Sequence, residues 1–274
     1  MNVYFFKLAF LFYLLGTLAY LVYIVFLREA LSKLATTTVC IGFFTHTLAL
    51  VIRYAEAGHT PVTNLHESLS FFAWMITGVL LISNLKYKIK VLGAFLSPIA
   101  LIIMLFAYAL PKEIVPLAPV LKSFWHPFHV IFAFLGNAFF ALAFCCGIMY
   151  LVQEHQLKSK RIGAITQRLP SLQVLDDLNY QSLTYGFPLL TLGIITGAIW
   201  AEYAWGRYWN WDPKETWSLI TWLLYAALLH QRLTVGWRGR KAALMAIAGF
   251  SAVLFTFLGV NLLLKGLHAY ANWQ

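Results

Sequence analysis

Residues 200–217 read WAEYAWGRYWNWDPKETW, so five of the chain's ten tryptophans fall within eighteen residues, between two long apolar runs. An indole joins an apolar body to a polar N–H, which suits the headgroup region of a membrane, and interfacial anchoring is the plainest account of such a cluster. Whether these tryptophans do more depends on what the chain places beside them.

The apolar runs decide the class. Of 274 residues, 61% are hydrophobic and only 11% are charged, too little polar surface to cover a soluble globule. A hydrocarbon core of roughly 30 Å takes about 20 apolar residues as a helix. Eight stretches meet that measure: 4–27, 36–53, 67–85, 91–110, 129–152, 183–203, 214–230 and 242–264. The expected fold is an all-α integral membrane protein, a polytopic bundle of about eight transmembrane helices with an external tryptophan-rich loop. No Pro- or Ser-rich linker and no internal repeat divides the chain, so 1–274 is expected to form one membrane domain. The first stretch is too long for a signal peptide, and Arg28-Glu29 follows it in place of a small-residue cleavage site, so it is expected to stay as a helix. The longest connection, 153–182, is polar and charged, with room for a short amphipathic helix.

Lys and Arg counted over alternate connections set the orientation. Thirteen of the twenty fall on one side: Arg28, Lys33, Lys86, Lys88, Lys90, Lys158, Lys160, Arg161, Arg168, Arg232, Arg238, Arg240 and Lys241. Lys7, Arg53, Lys112, Lys122, Arg207, Lys214 and Lys265 fall on the other. The positive-inside rule therefore puts both termini and the tryptophan-rich loop outside the cytoplasmic membrane. The net charge of +10 is spread over four cytoplasmic connections as a topology signal, and no basic face for nucleic acid is implied.

Cys40, Cys145 and Cys146 all lie inside apolar stretches, without the C-x-x-C spacing of dithiol exchange or a zinc site. They read as small apolar fillers. No Gly-rich phosphate loop, G-x-S-x-G or H-E-x-x-H is present, so nucleotide hydrolysis, acyl transfer and zinc proteolysis lose their usual support.

Histidines remain, and inside a bilayer they are functional candidates by default. His126 and His129 open the fifth stretch in FWHPFHV, where Pro127 suits a first helical turn. His268 follows the last stretch in GVNLLLKGLHAYA, so histidines from separate helices flank the same outer face as the tryptophans. Neutral imidazole is a strong ligand for haem iron, and two of them make a six-coordinate site. Taken singly, either histidine would be an ordinary interfacial residue; their coincidence on one face favours haem. WGRYWNWD would then offer flat aromatic surface to a porphyrin, and Arg207 a cation for a propionate. Asp212, Pro213 and Glu215 fit an Asp-x-x-Glu capping box opening the next helix. N-capping alone explains Asp212, and it also fixes where the preceding tryptophans point.

Counted from Lys214 at 1.5 Å per residue, His230 lies about 24 Å along its helix, while His46, in FTHTLAL, lies about 15 Å from the cytoplasmic end of its own. The two heights differ by roughly 10 Å, more than one haem plane favours. His46 is therefore expected to be packed or hydrogen-bonded, and a second intramembrane ligand to come from a partner.

The longer stretch WAEYAWGRYWNWDPKETWSLITWLLYAALLH resembles the tryptophan-rich WWD signature of the haem-handling proteins of cytochrome c biogenesis, and GVNLLLKGLHAYA resembles the C-terminal signature of the CcsA (ResC) branch of that family. The likeness continues through HTPVTNLHESLSFFAW and HQRLTVGWRGRKAA. The resemblance implies that Trp205, Trp209, Trp211 and Asp212 form the WWD core, that His129 and His268 are the external ligands of iron, and that His230 is an intramembrane ligand. It implies haem b, bound as substrate, with a CcsB (ResB) membrane protein, C-x-x-C-H apocytochrome c and external thiol-reducing proteins as partners. Together with CcsB the chain would form a cytochrome c synthase that carries haem across the membrane, holds it reduced and offers its vinyl groups to two cysteine thiols. Proximity and orientation would supply most of the acceleration, because cysteine thiolate is already nucleophilic; no catalytic acid or base stands out in the chain.

Three other readings stay open at this point. A haem exporter of the CcmC type would share the WWD face without making thioethers, although eight spans and the GLHAYA ending favour the CcsA branch. A cytochrome b-like electron carrier would hold haem inside the bundle and need no outer tryptophan loop. HemX-like relatives are disfavoured by the intact WGRYWNWDP.

Overall fold

The computed structural model describes residues 1–160 and 163–260. His268 and the end of the last expected stretch lie outside the described residues. Among those described there is no strand, and the chain is all-α: α1 (Asn2–Phe26), α2 (Glu29–Ala57), α3 (Leu65–Tyr87), α4 (Leu92–Ala109), α5 (Trp125–Lys158), α6 (Ala164–Arg168), α7 (Leu172–Trp205), α8 (Pro213–His230) and α9 (Arg240–Leu254). A 3-10 turn covers Pro119–Leu121, and π-helical turns follow α8 at Gln231–Val235 and α9 at Phe255–Gly259.

Among the described residues, seven segments are long and apolar enough to cross a bilayer: α1 to α5, α7, and α9 with its π turn. The remaining expected span, α8, matches α4 in length at 18 residues but is less apolar, with Pro213, Lys214 and Glu215 in its first turn and His230 at its end. The connection expected over 153–182 is largely helix. At 34 residues each, α5 and α7 are about 51 Å long and continue well past a hydrocarbon core of roughly 30 Å. Among the described residues between them, the five-residue α6 is the one helix.

The chain forms two compact units. Unit 1 comprises Met1–Pro116 and Ser159–Pro170, built on α1 to α4. Its α1 and α2 pack closely because Gly16 lies against Val39 and Gly42 against Tyr13. At one end sits a buried ion pair: Arg53 Nε donates to Glu67 Oε1 at 2.6 Å, with the two side chains 4% and 1% exposed. Arg53 also donates to the carbonyls of Lys112 (2.8 Å) and Glu113 (2.9 Å), while Glu67 Oε2 accepts from the backbone N–H and hydroxyl of Thr63, each at 2.8 Å. The Asn64 side chain caps α3 by accepting from Glu67 N. The motif HTPVTNLHESLSFFAW thus supplies the turn, the cap and half of the ion pair. His46 is fully buried in this unit, with Nε2 2.8 Å from Ser70 Oγ and Nδ1 3.3 Å from Tyr13 Oη, the packed, hydrogen-bonded role expected of it.

Unit 2 comprises Leu117–Lys158 and Ser171–Gln274. Its most extensive packing is between α5 and α7, and glycines allow it. A Cβ on Gly136 would lie 2.9 Å from Leu190 N and 3.0 Å from Gly186 O, and one on Gly193 would lie 2.9 Å from Ala133 N. Small residues serve helix pairs in membranes because lipid tails are as apolar as leucine, leaving close van der Waals contact as the main attraction. A second buried ion pair closes the other end of this unit. Arg232 meets Asp176 through two bonds of 2.9 and 2.8 Å, and Asp176 Oδ1 also accepts from Gly239 N at 2.8 Å. The start of α7 is thereby tied to the turn between α8 and α9, which accounts for HQRLTVGWRGRKAA.

Removing one member of a buried, fully bonded pair leaves a charge without compensation, which typically costs about 3–5 kcal/mol. Glu67→Gln is therefore expected to lower unfolding stability in detergent by that order, followed by tryptophan fluorescence. Lys33→Ala breaks only the exposed Lys33–Glu29 pair and is expected to leave the transition unmoved; equal losses in the two variants would contradict this account.

Candidate functional site

The tryptophan-rich stretch divides between two helices and the loop joining them. Trp200 and Trp205 belong to α7, Trp217 to α8, and residues 206–212 form the loop. The turn out of α7 is made by Gly206, left-handed at φ 70°, whose N–H donates to Glu202 O at 2.9 Å. The turn into α8 is the capping box read from the sequence: the Asp212 side chain accepts from Lys214 N at 3.1 Å, and Glu215 reaches back to Asp212 N at 3.2 Å. Glu215 Oε2 also accepts from Asn210 N at 2.8 Å. A single buried carboxylate therefore gathers the loop onto the first turn of α8.

Trp211 lies between these bonds at φ 55°, a left-handed conformation that bulky residues rarely take. Its indole is 69% exposed and meets Trp209 edge-on, with ring centroids 5.8 Å apart. Arg207 is exposed on the same loop. On the same loop and the first turn of α8, Trp209 Nε1, Asn210 Nδ2 and Glu215 Oε1 are buried and find no hydrogen-bond partner among the described residues. Buried polar atoms are rarely left this way, so the loop retains bonding capacity that the described residues do not use.

The other half of the site is built on α5 and α7. Nδ1 of His129 is 2.7 Å from Gly193 O. A carbonyl can only accept, so the proton of the neutral ring is on Nδ1 and the lone pair on Nε2. The ring lies against α7 where Gly197 has no side chain; a Cβ there would be 2.5 Å from His129 Nδ1. Trp200, only 1% exposed, stacks beside the imidazole at 24° with centroids 5.8 Å apart, and its Nε1 donates to Val120 O at 3.0 Å. Trp200 also touches His126 (4.9 Å) and Trp205 (5.0 Å). An aromatic series thus runs from His129 through Trp200 to Trp205, at the threshold of the loop.

Of the residues singled out in the sequence, His129 and Trp205 are linked through Trp200, and Arg207, Trp209, Trp211 and Asp212 share the loop that follows. His230 stands apart, exposed at the far end of α8, immediately before the π-helical turn. His126 is buried against Trp200 rather than on the surface. Sequence reasoning missed Gly193 and Gly197 and took Trp200 for part of the loop cluster. The available signal was the spacing 193, 197 and 200, which places all three on one face of a helix.

A multi-pass helical membrane protein with a histidine ring seated beside a tryptophan-rich loop is the class that this fold and site define. The family model described as "Cytochrome C assembly protein" matches residues 62–268, and the chain belongs to that family. It is 40% identical to "Cytochrome c biogenesis protein CcsA" of Synechocystis sp., with 96% of this chain and 95% of that protein aligned. It is 41% identical to the protein of the same description from Guillardia theta, with 86% and 84% aligned. Among solved structures, "Cytochrome c Heme Lyase CcmF" shares the fold with a TM-score of 0.69 at 19% identity; the match covers all of this chain and 48% of that one. The role of the chain accordingly lies in cytochrome c maturation.

If Glu215 organises the loop, Glu215→Ala is expected to speed hydrogen exchange at the amides of Asn210 and Asp212 while leaving the middle of α8 protected. Asp212→Ala should act at Lys214 N and cost about 1 kcal/mol, as for other N-caps. Unchanged protection at 210 and 212 in the Glu215 variant would show that something else holds the loop.

Proposed function

We propose that the chain is the haem-handling subunit of a cytochrome c synthase, holding haem b as substrate at a site formed by His129 and the tryptophan-rich loop. The observation that carries this reading is the bond from His129 Nδ1 to Gly193 O, which leaves the ring's lone pair on Nε2, the atom that would ligate iron. His268 supplies the opposite ligand, Trp205, Trp209 and Trp211 offer aromatic surface to the macrocycle, Asp212 fixes the loop, and Arg207 meets a propionate. The indole N–H of Trp209 and the amide of Asn210, both without acceptors among the described residues, suit carboxylate oxygens equally well. The whole chain, 1–274, works as one membrane domain with residues 200–217 as its haem-facing segment.

On this reading the loop and both termini face outside the cytoplasmic membrane, where a C-x-x-C-H apocytochrome c arrives with its thiols kept reduced by external thiol-reducing proteins. Each thiol adds its sulfur and hydrogen across a vinyl double bond, forming one thioether without a leaving group. The protein contributes position and orientation, worth as much as ~7–11 kcal/mol in well-aligned intramolecular reactions. A CcsB (ResB)-type membrane protein completes the assembly and provides the second ligand for an intramembrane haem station at His230. The exposure of His230 in this chain leaves its ring accessible to such a partner.

Three measurements test the reading. His129→Ala in the assembled complex is expected to lose the bis-histidine signature of the outer haem and to mature less of a C-x-x-C-H reporter, with added imidazole restoring part of both; wild-type behaviour would remove His129 from the site. His230→Ala should lower the haem content of the whole complex, because loss of an upstream station starves the outer one, whereas normal haem and normal thioether yield would rule that station out. A topology reporter inserted near Arg207 should score outside and one between Lys158 and Arg168 inside. Cytoplasmic labelling of the Arg207 loop would reverse the assigned side of attachment.

A further inference from the structure

We propose that α7 sets both the tautomer and the orientation of His129 through its backbone, with Gly193, Gly197 and Trp200 as positioning residues. The inference rests on the reading of His129 as a haem ligand and adds the residues on which that role depends.

Three contacts define the device. The Gly193 carbonyl accepts from His129 Nδ1 at 2.7 Å; with the proton on Nε2 instead, two lone pairs would face each other at that distance. Gly197 provides the space: an added Cβ would stand 2.5 Å from Nδ1 and 2.8 Å from Cε1, so any side chain at this position drives the ring off the helix. Trp200 walls the ring on one side, itself fixed by its bond to Val120 O. Residues 193, 197 and 200 follow the i, i+4, i+7 pattern, so all three act from one face of one helix. A second bond that holds the opposite nitrogen is the usual way a ligating histidine is oriented and made more basic.

An ordinary packing role would predict the same glycines, so the test needs a readout that packing does not move. The full chain, coexpressed with its membrane partner and loaded with haem, would be compared by optical and electron paramagnetic resonance spectra, with and without imidazole. Gly197→Ala is expected to copy His129→Ala: the low-spin signal of the outer haem falls several-fold and imidazole restores it, because the displaced ring vacates the coordination position. Trp200→Leu is expected to show the same defect in weaker form. Gly249→Ala is the control, since its Cβ would meet the Tyr225 ring at 2.6 Å, a comparable collision in the same unit that leaves the imidazole untouched; its spectrum should stay as in the wild type.

A wild-type spectrum for Gly197→Ala, or a loss that imidazole does not restore, overturns the proposal while leaving His129 as a ligand. A wild-type spectrum for His129→Ala overturns the ligand reading, and this inference with it. Should the Gly197 variant fail to accumulate, nitrogen-15 spectra of histidine-labelled, haem-free wild-type protein decide the matter. His129 is expected as the Nδ1–H tautomer, and an Nε2–H tautomer there sinks the proposal.

Discussion

The close approach of α5 and α7 governs unit 2, and it exists because glycines occupy the crossing. Gly136 and Gly186 face each other with no room for a methyl group, and Gly193 does the same against Ala133. In water, burial of apolar surface would hold two such helices together. Between lipid tails that drive is absent, and interhelical hydrogen bonds average only about 0.6 kcal/mol. The bond between His129 and Gly193 therefore contributes little to holding the unit together. What it decides is which nitrogen carries the proton, a choice that matters for ligand chemistry rather than for stability.

The energy that fixes the ends of each unit comes from another source. Arg53 with Glu67, and Arg232 with Asp176, bury charges that would be costly if unpaired, and each is saturated by further bonds to backbone groups. Arginine suits both places because its planar fork can meet a carboxylate and carbonyls together, which the point charge of lysine cannot. Both pairs join segments distant in sequence. The acid of each lies near the start of a helix, so the pair also fixes where that helix begins.

These two pairs lie in stretches whose structural role could not be read from the chain alone. Glu67 stands at the first position of an apolar run, and nothing in its neighbourhood names Arg53, fourteen positions earlier, as its partner. Apolar run length located seven spans well because bilayer thickness sets it, but it stopped short where α5 and α7 continue past the hydrocarbon. Hydropathy ends there while helical hydrogen bonding does not. The capping box at Asp212 and Glu215 was legible because its chemistry is local, four residues satisfying their own backbone. The roles of Gly193 and Gly197 were only half legible: their spacing from Trp200 marks one face of a helix, but the ring that fills the space beside Gly197 is His129 of another helix, and nothing in the local sequence names it. Similarly, His46 could be set aside by its height, but its partners Ser70 and Tyr13 come from other helices.

Trp211 shows how backbone conformation can aim a side chain that nothing buries. A left-handed φ at a bulky residue costs of order 1–3 kcal/mol and persists only where its surroundings over-determine it. Here the amides of Asn210 and Asp212, on either side of Trp211, both donate to Glu215 Oε2. Hydrogen bonds to a charged group are worth about 1.5–3 kcal/mol each, so the two together outweigh the strain. With the flanking amides pinned to one oxygen, the residue between them has to bulge outward, carrying its indole away from the helix and into edge contact with Trp209. Neither glycine nor alanine at 211 would preserve that result: glycine would relieve the strain and remove the ring, and alanine would keep the strain with nothing to present. The direction of the exposed indole is thus set by a carboxylate four residues away, and the capping of α8 and the presentation of the tryptophan face are one constraint.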